Sequence, residues 1–364
     1  MANTKQKVIM LILTENCNLS CSYCYEHFKT SNIMNFSTAK SILDYELNLE
    51  DGYTDVLIEF FGGEPFLEFD LLKSIYHYVI GKTWHKNILF FTTTNGTLVH
   101  GEIKEWLYDN RATMCCGISL DGTPQMHNNN RSNSFDNIDL DFFRKTWPKQ
   151  TCKMTISEET LPNLAKGILY LQEVGYEVKA TFAQGIDWSN DNNQTVLESE
   201  LQKLVSYYIE HEDQTLCDFL NIKLDMVHYS KDSSLKWCGI GEQVKAYDVN
   251  GNIYPCQAFA PQTVGIDEAN KFKGTTIELF TDFNDEDCRG CIISPICPTC
   301  YGANYQRTAD YRKRDKSLCK FNKQCTLASS YVQYKRVLNK LNVDEMTQEQ
   351  YLLLSAIEKI QGNI

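Results

Sequence analysis

TENCNLSCSYCYEHF, residues Thr14 to Phe28, places three cysteines, Cys17, Cys21 and Cys24, three and then two intervening residues apart. They come directly after the apolar run Val8–Leu13. Three thiolates this close in sequence can hold three corners of a cubane iron–sulfur cluster, whose irons are bound by cysteine sulfur. The fourth iron then lacks a protein ligand, and a small molecule can bind and react there. Structural zinc or plain burial is the alternative. Zinc takes paired cysteines, or Cys with His, to reach four ligands, so a lone triplet after a strand favours the cluster.

The bulk properties narrow the class. A chain of 364 residues with 43% apolar and 23% charged residues has room for one large domain and a smaller one. Its net charge is −12 and it has no dense Lys/Arg block, which argues against a nucleic-acid partner. Fifteen cysteines are many for such a chain. A secreted disulfide scaffold would be shorter and would carry a signal peptide. Lys5 and Lys7 do precede an apolar run, but that run is six residues long and leads into Glu15 and the triplet. It reads as a strand. No apolar stretch reaches the length of a bilayer span, and the cysteines suit a reducing cytoplasm and metal.

From Val8 to about Phe182 short apolar runs alternate with amphipathic stretches. The strand candidates are Val8–Leu13, Val56–Phe61, Ile88–Thr93, Ala112–Leu120, Lys153–Ser157 and Val178–Phe182. Their continuous apolarity predicts parallel strands covered on both faces. Helical segments are predicted near Ser37–Leu49, Phe69–Ile80, Gly101–Tyr108, Ile138–Trp147, Leu161–Glu173 and Gln194–Glu212, with Gly175 placed to stop the fifth. Six strands each followed by a helix predict an α/β fold: an open, partial (β/α)6 TIM-like barrel with its chemistry at the carboxyl ends of the strands. The expected organisation is a barrel over residues 1–212 and a linker over 213–236. A cysteine-rich, irregular domain follows at 237–325, with C-terminal helices at 326–364. Thr347 and Gln350 predict a capping box on the last helix. Only about seven residues precede the first strand, so no separate leader-binding domain is expected ahead of the barrel.

The second strand runs into FFGGEPF, with Gly62, Gly63, Glu64 and Pro65. Two glycines let backbone approach a ligand with no Cβ in the way; a tight turn is the alternative. The third ends in TTTNGTLV, where Asn95-Gly96 is a turn signal, and the fourth in SLDGTPQMHNNNR. The triplet, the GGEP turn and the SLDG segment, in this order, resemble the radical SAM enzymes. That resemblance implies that Gly62, Gly63 and Glu64 form the site for the amino group of S-adenosylmethionine (SAM). It also implies that Ser119 contacts the ribose, Arg131 the carboxylate and Tyr23 the adenine. An arginine fork suits a carboxylate. His127 reads as a structural histidine.

Eight cysteines fall between Trp237 and Cys325. Cys238 precedes Gly251-Asn-Ile-Tyr-Pro-Cys256; then come Cys288-x2-Cys291-x5-Cys297-x2-Cys300, Cys319 and Cys325. This array resembles the SPASM extension, which binds two auxiliary [4Fe–4S] clusters in enzymes acting on peptides and proteins. Carried over, Cys238, Cys256 and Cys300 serve one cluster, and Cys288, Cys291, Cys297 and Cys319 the other. The chain departs from the pattern in three ways. The Cys297–Cys300 gap is one residue short. An early cysteine found in some members is missing, which leaves an open iron or a role for Cys325 or Cys217. Gln257 follows Cys256, where anaerobic sulfatase-maturating enzymes carry a basic aspartate; glutamine has no titrating carboxylate. Cys115, Cys116 and Cys152 read as small buried hydrophobes.

The resemblance implies reductive cleavage of SAM to methionine and a 5′-deoxyadenosyl radical that takes a hydrogen from the substrate. An electron donor such as flavodoxin or ferredoxin is implied. So are a peptide or protein substrate and an oxidised or crosslinked product. Formylglycine formation on Cys or Ser is the second enzymatic reading, and a non-catalytic iron–sulfur electron carrier is the alternative outside enzymes. No general base is identifiable from the sequence.

Overall fold

The run ahead of the triplet is strand β1, Gln6–Thr14. The protein is described by a computed structural model over residues 6–228, 238–241, 243–275, 277, 286–340 and 346–364. The last third of the expected linker, residues 229–236, and Trp237 lie outside the described residues. Three parallel strands extend the sheet on one side of β1: β2 (Asp55–Gly62), β3 (Asn87–Thr94) and β4 (Met114–Ile118). Ile9, Leu11, Ile12 and Leu13 have no exposed surface, the state their unbroken apolarity predicts for a parallel strand covered on both faces. Full burial of each such side chain contributes about 1.5–3 kcal/mol.

The six-strand expectation is met differently from its simplest form. The remaining candidates, β5 (Cys152–Ile156) and β6 (Val178–Phe182), make a separate two-stranded sheet. After β4 ends at Ile118, ladder pairing is reduced to a parallel bridge between Ser119 and Lys153 and an N–H of Leu120 donating to the Lys153 carbonyl at 2.8 Å. On its other edge β1 gains a strand from the cysteine-rich region. This is β7 (Val244–Tyr247), parallel to Val8–Leu11, and it is followed by the short antiparallel β8 (Ile253–Tyr254).

A buried ion network secures that edge. The Lys7 ammonium sits between Glu46 and Asp51, with Asp51 at 2.7 Å. Glu46 also accepts from Lys245 at 2.7 Å and from the Tyr247 hydroxyl. Burial alone would lower the Lys7 pKa, but its two carboxylate partners hold it above the ordinary value. One polar knot thus ties β1, the first helix and β7.

Six helices match the amphipathic stretches closely: α1 (Phe36–Asn48), α2 (Phe69–Ile80), α3 (Gly101–Asp109), α5 (Leu140–Thr146), α6 (Leu164–Val174) and α7 (Asp191–Glu210); α4 (Pro124–Asn130), within the SLDG segment, is not among the predicted helices. Gly175 ends α6 in the left-handed region at φ +102°, the conformation that favours glycine at a helix C-terminus. Short helices α8 (Pro261–Val264), α9 (Ile266–Ala269) and α10 (Glu286–Arg289) precede α11 (Tyr301–Thr308), α12 (Cys319–Lys340) and α13 (Gln348–Gln361). The Thr347–Gln350 capping box is present on α13.

The contact pattern divides the chain into two units that cut across the four expected segments. The first comprises residues 1–120, 127–153 and 238–279; the second, residues 121–126, 154–237 and 280–364. Cys238 and Cys256 fall in the first unit because β7 pairs with β1. In the second unit Ala356, Ile357 and Ile360 of α13 join Leu224, Val227, Ile293 and Ile296 in one apolar cluster, against which Cys291 and Cys297 pack.

Candidate active site

The triplet and the residues expected around SAM all belong to the first unit. Cys17, Cys21 and Cys24 are half-buried on the loop that leaves β1. Hydrogen bonds from three directions fix this loop. From β2, the N–H groups of Gly63 and Glu64 donate to the carbonyls of Thr14 (3.1 Å) and Asn16 (2.9 Å). From the end of β3, the Asn95 amide donates to Asn18 Oδ1 at 2.8 Å, and Asn18 Nδ2 donates to Thr97 Oγ1 at 2.8 Å. From the segment after α4, the Asn130 carbonyl accepts from Ser22 N–H and Ser132 Oγ from Ser20 N–H. Ser132 and Asn133 take positive φ values of 54° and 53° to make that turn.

Glycine is required where β2 meets the loop. A Cβ on Gly63 would lie 2.2 Å from the Asn16 carbonyl oxygen and 2.9 Å from Cys17 Cβ. One on Gly62, at φ +149°, would lie 2.3 Å from the Thr14 oxygen. Because the Gly63 and Glu64 N–H groups already donate within the protein, the turn offers an ammonium its carbonyl oxygens instead. Glu64 is 1% exposed, and its carboxylate accepts from Thr94 Oγ1 (2.8 Å), Asn95 N–H (2.9 Å) and Phe66 N–H (3.2 Å). Burial raises its pKa, against those donors and the positive charge of Arg131. Its side chain therefore braces the ends of β2 and β3, which leaves the backbone of this turn to meet a ligand.

Arg131 is buried, with Nη1 4.0 Å from Cys21 Sγ and its guanidinium 5.5 Å from the centre of the Tyr23 ring. Ser119 is buried at the end of β4, its N–H donating to Thr94 O at 3.1 Å. His127 is fully buried and meets Ser134 Oγ at 3.0 Å. Asp121 accepts from Thr155 N–H at 2.9 Å within the second unit. Asn18, Lys29 and Ser132 also shape the loop, and none carries a motif that marks it. The Lys29 ammonium hydrogen-bonds the Cys24 thiol and faces Cys17, a favourable charge beside thiolates. The Gln257 side chain bonds the Tyr25 hydroxyl.

Among the described residues no three His, Cys, Asp or Glu side chains form a site for one metal ion. A cubane spreads its irons over separate corners, so its thiolates need not meet at one point. Half-buried thiols on a braced loop, beside two positive charges and a glycine turn without Cβ atoms, are a donor set that fits such a cluster.

The later cysteines divide between the units. In the second, Cys297 feels the charges of both Cys291 and Cys319; burial pushes its thiol up while Arg314 pulls it down. Asn322 Nδ2 donates to Cys297 Sγ at 3.4 Å, and Cys291 N–H donates to the Cys288 carbonyl at 3.3 Å. Cys300 directly precedes α11 and makes no side-chain capping bond to it. Cys325 is buried in α12, its thiol pushed well up by burial, with Cys217 and Asp218 as the charges it feels. Burial likewise lifts the Cys217 thiol to about 12. Cys116 and Cys152 are buried and Cys115 half-buried.

Residues 7–139 match the model of a 4Fe–4S single cluster domain. An uncharacterized protein of Methanocaldococcus jannaschii is 31% identical over 175 residues, 46% of this chain and 59% of that protein. A cysteine-type anaerobic sulfatase-maturating enzyme of Clostridium perfringens is 32% identical over 36% of each chain. The chain thus spans between a third and three fifths of the length of these relatives. The solved structure of native anSMEcpe with bound AdoMet superposes with a TM-score of 0.67 at 18% identity, covering 92% of this chain and 98% of that one. SuiB of Streptococcus suis bound to its precursor peptide SuiA superposes with a TM-score of 0.55 at 15% identity, over 86% and 76% of the two chains. With the parallel sheet in place, these matches show that the chain shares the α/β fold of these solved structures.

Proposed function

We propose that the protein is a radical SAM enzyme that oxidatively modifies or crosslinks a residue of a ribosomally made peptide or protein. The observation that carries this reading is the convergence of the triplet loop with Gly62–Glu64, Ser119 and Arg131 on one end of the parallel sheet. Cys17, Cys21 and Cys24 would hold a [4Fe–4S] cluster, which would supply the electron for reductive cleavage of SAM. The protein's own part is placement. The carbonyls of the Gly62–Gly63 turn would accept from the SAM ammonium, Arg131 would pair with its carboxylate, Ser119 would hold the ribose and Tyr23 would contact the adenine. Such positioning keeps the reacting atoms in register and water away. The Cys288, Cys291, Cys297 and Cys319 set serves an auxiliary cluster in the second unit. Cys238 and Cys256, both in the first unit, serve the other auxiliary cluster. The reducing cytoplasm suits these thiols.

Formylglycine formation is the second reading, favoured by the sulfatase-maturating relatives. Gln257 stands against it, since its amide bonds Tyr25 and cannot take a proton near neutral pH.

Anaerobically reconstituted protein tests the proposal through iron content and 5′-deoxyadenosine formation, beside Cys17→Ala, Cys21→Ala and Cys24→Ala. About twelve irons per chain, with SAM cleavage by the unmutated protein alone, is the expected result for three four-iron clusters. Bound zinc, or no 5′-deoxyadenosine under strong reductant, overturns it. Turnover of a cysteine-type sulfatase peptide to formylglycine would select the second reading.

A further inference from the structure

One face of α12 has no role in the site described above. Leu327, Tyr331, Tyr334 and Leu338 are 37–46% exposed. Their spacing of four, three and four residues stacks them in one stripe about 60° wide along the helix. The helix cannot turn to bury them, because its opposite face is anchored. Phe321, Cys325 and Val332 are buried. Ser329 Oγ donates to the Leu220 carbonyl, and Gln333 Nε2 to the carbonyls of Leu220 and Ile222. The Arg336 guanidinium donates to the carbonyls of Tyr208, His211 and Gln214. These anchors all lie within the second unit.

Charge frames the stripe. At 100° per residue, Lys323 falls on one side of it, Lys335 on the other and Lys320 on its N-terminal extension. Lys335 reaches over the Tyr331 ring at 5.5 Å, and Lys320 lies 3.4 Å from Asp191. Across Cys319–Lys340 there are five Lys or Arg residues and no Asp or Glu, in a chain of net charge −12.

We propose that this ridge docks an amphipathic helix with acidic flanks, supplied by a separate protein or peptide partner. The partner's apolar residues pack on the Leu327–Leu338 seam and its carboxylates face Lys323 and Lys335, as in other helix-on-helix recognition. A second copy of this chain is disfavoured, since two α12 seams face to face would oppose like charges. A bilayer is disfavoured because a ridge of two leucines and two tyrosines is narrower than the apolar face of an interfacial helix. The proposal does not depend on which substrate the enzyme modifies.

The test uses the reconstituted full-length protein and a fluorescent synthetic peptide about three heptads long, with Leu at a and d and Glu at e and g. Saturable binding is expected. It should be at least about tenfold weaker for the same peptide with Lys at e and g, and for a Tyr334→Glu/Leu338→Glu protein. Iron content and SAM cleavage should be unchanged in that variant. A Lys323→Glu/Lys335→Glu protein, whose apolar stripe is intact, should reverse the preference toward the Lys peptide. Absence of saturable binding, equal binding of the two peptides, or no reversal overturns the proposal. So does binding of phosphatidylglycerol vesicles, or self-association by sedimentation, if either is abolished by Tyr334→Glu/Leu338→Glu while peptide binding is not.

Discussion

The two groups of cysteines are held in different ways. The triplet loop hangs from the ends of β2, β3 and α4 by hydrogen bonds that the protein makes with itself, through Gly63, Glu64, Asn18, Asn95, Ser20 and Ser22. The stretch from Cys288 to Cys300 has little regular structure. It leans on the apolar face of α13, on Arg314 and on Asn322. A site braced by the backbone can be set before its metal arrives, whereas a site with few ladder bonds gains much of its order from the ligand.

The largest expected effect comes from forcing atoms into the braced loop. Gly63→Ala, with its Cβ 2.2 Å from a carbonyl oxygen, must displace the Cys17 region. A misplacement of about 1 Å is expected to lower the rate of SAM cleavage about a hundredfold. Retention of wild-type 5′-deoxyadenosine formation would show that the turn does not position the cofactor. Glu64→Gln removes a buried charge from three donors and is expected to cost about 1–3 kcal/mol in urea unfolding.

Removing iron should then separate the two regions. Amide exchange on apo against reconstituted protein is expected to slow about tenfold on reconstitution over residues 288–300, with a smaller change over residues 14–28. Equal protection in both regions would erase the distinction drawn here. The smallest effect concerns acid. Burial would raise the Asp51 pKa, but bonds from Lys7 and Lys86 depress it to about 2. A folded pKa below the unfolded one gives stability that is complete above about pH 4 and is lost as pH falls toward 2. Asp51→Asn should therefore flatten this limb of the stability curve by about 1 kcal/mol, discounted for partial exposure.

The sequence carried much of this architecture because its signals are local. Unbroken apolar runs marked β1 to β6, and Gly175 and the Thr347–Gln350 box marked helix ends. The triplet stands out by its spacing, and the GGEP turn by its resemblance to the radical SAM enzymes. Three things were hidden. β7 is four residues, VKAY, whose strand identity comes from pairing with β1 and from the Glu46 ion network rather than from its own pattern. α12 begins at Cys319 rather than after Cys325 because its mixed composition gives weak periodicity. The struts Asn18, Lys29 and Ser132 act through contacts with residues far along the chain, or with thiols, that no local pattern encodes.

The place of β7 also sets an order of events during synthesis. The edge of β1 that β7 covers, Val8–Leu11, emerges about 240 residues before its partner. At about 5–20 residues per second, it waits on the order of ten seconds or more as an open, apolar strand edge. Such an edge is a template for pairing with other chains. A ribosome stalled between the triplet and Val244 would therefore present a nascent chain that already carries the triplet loop yet lacks the strand that closes its sheet, and which calls for a chaperone.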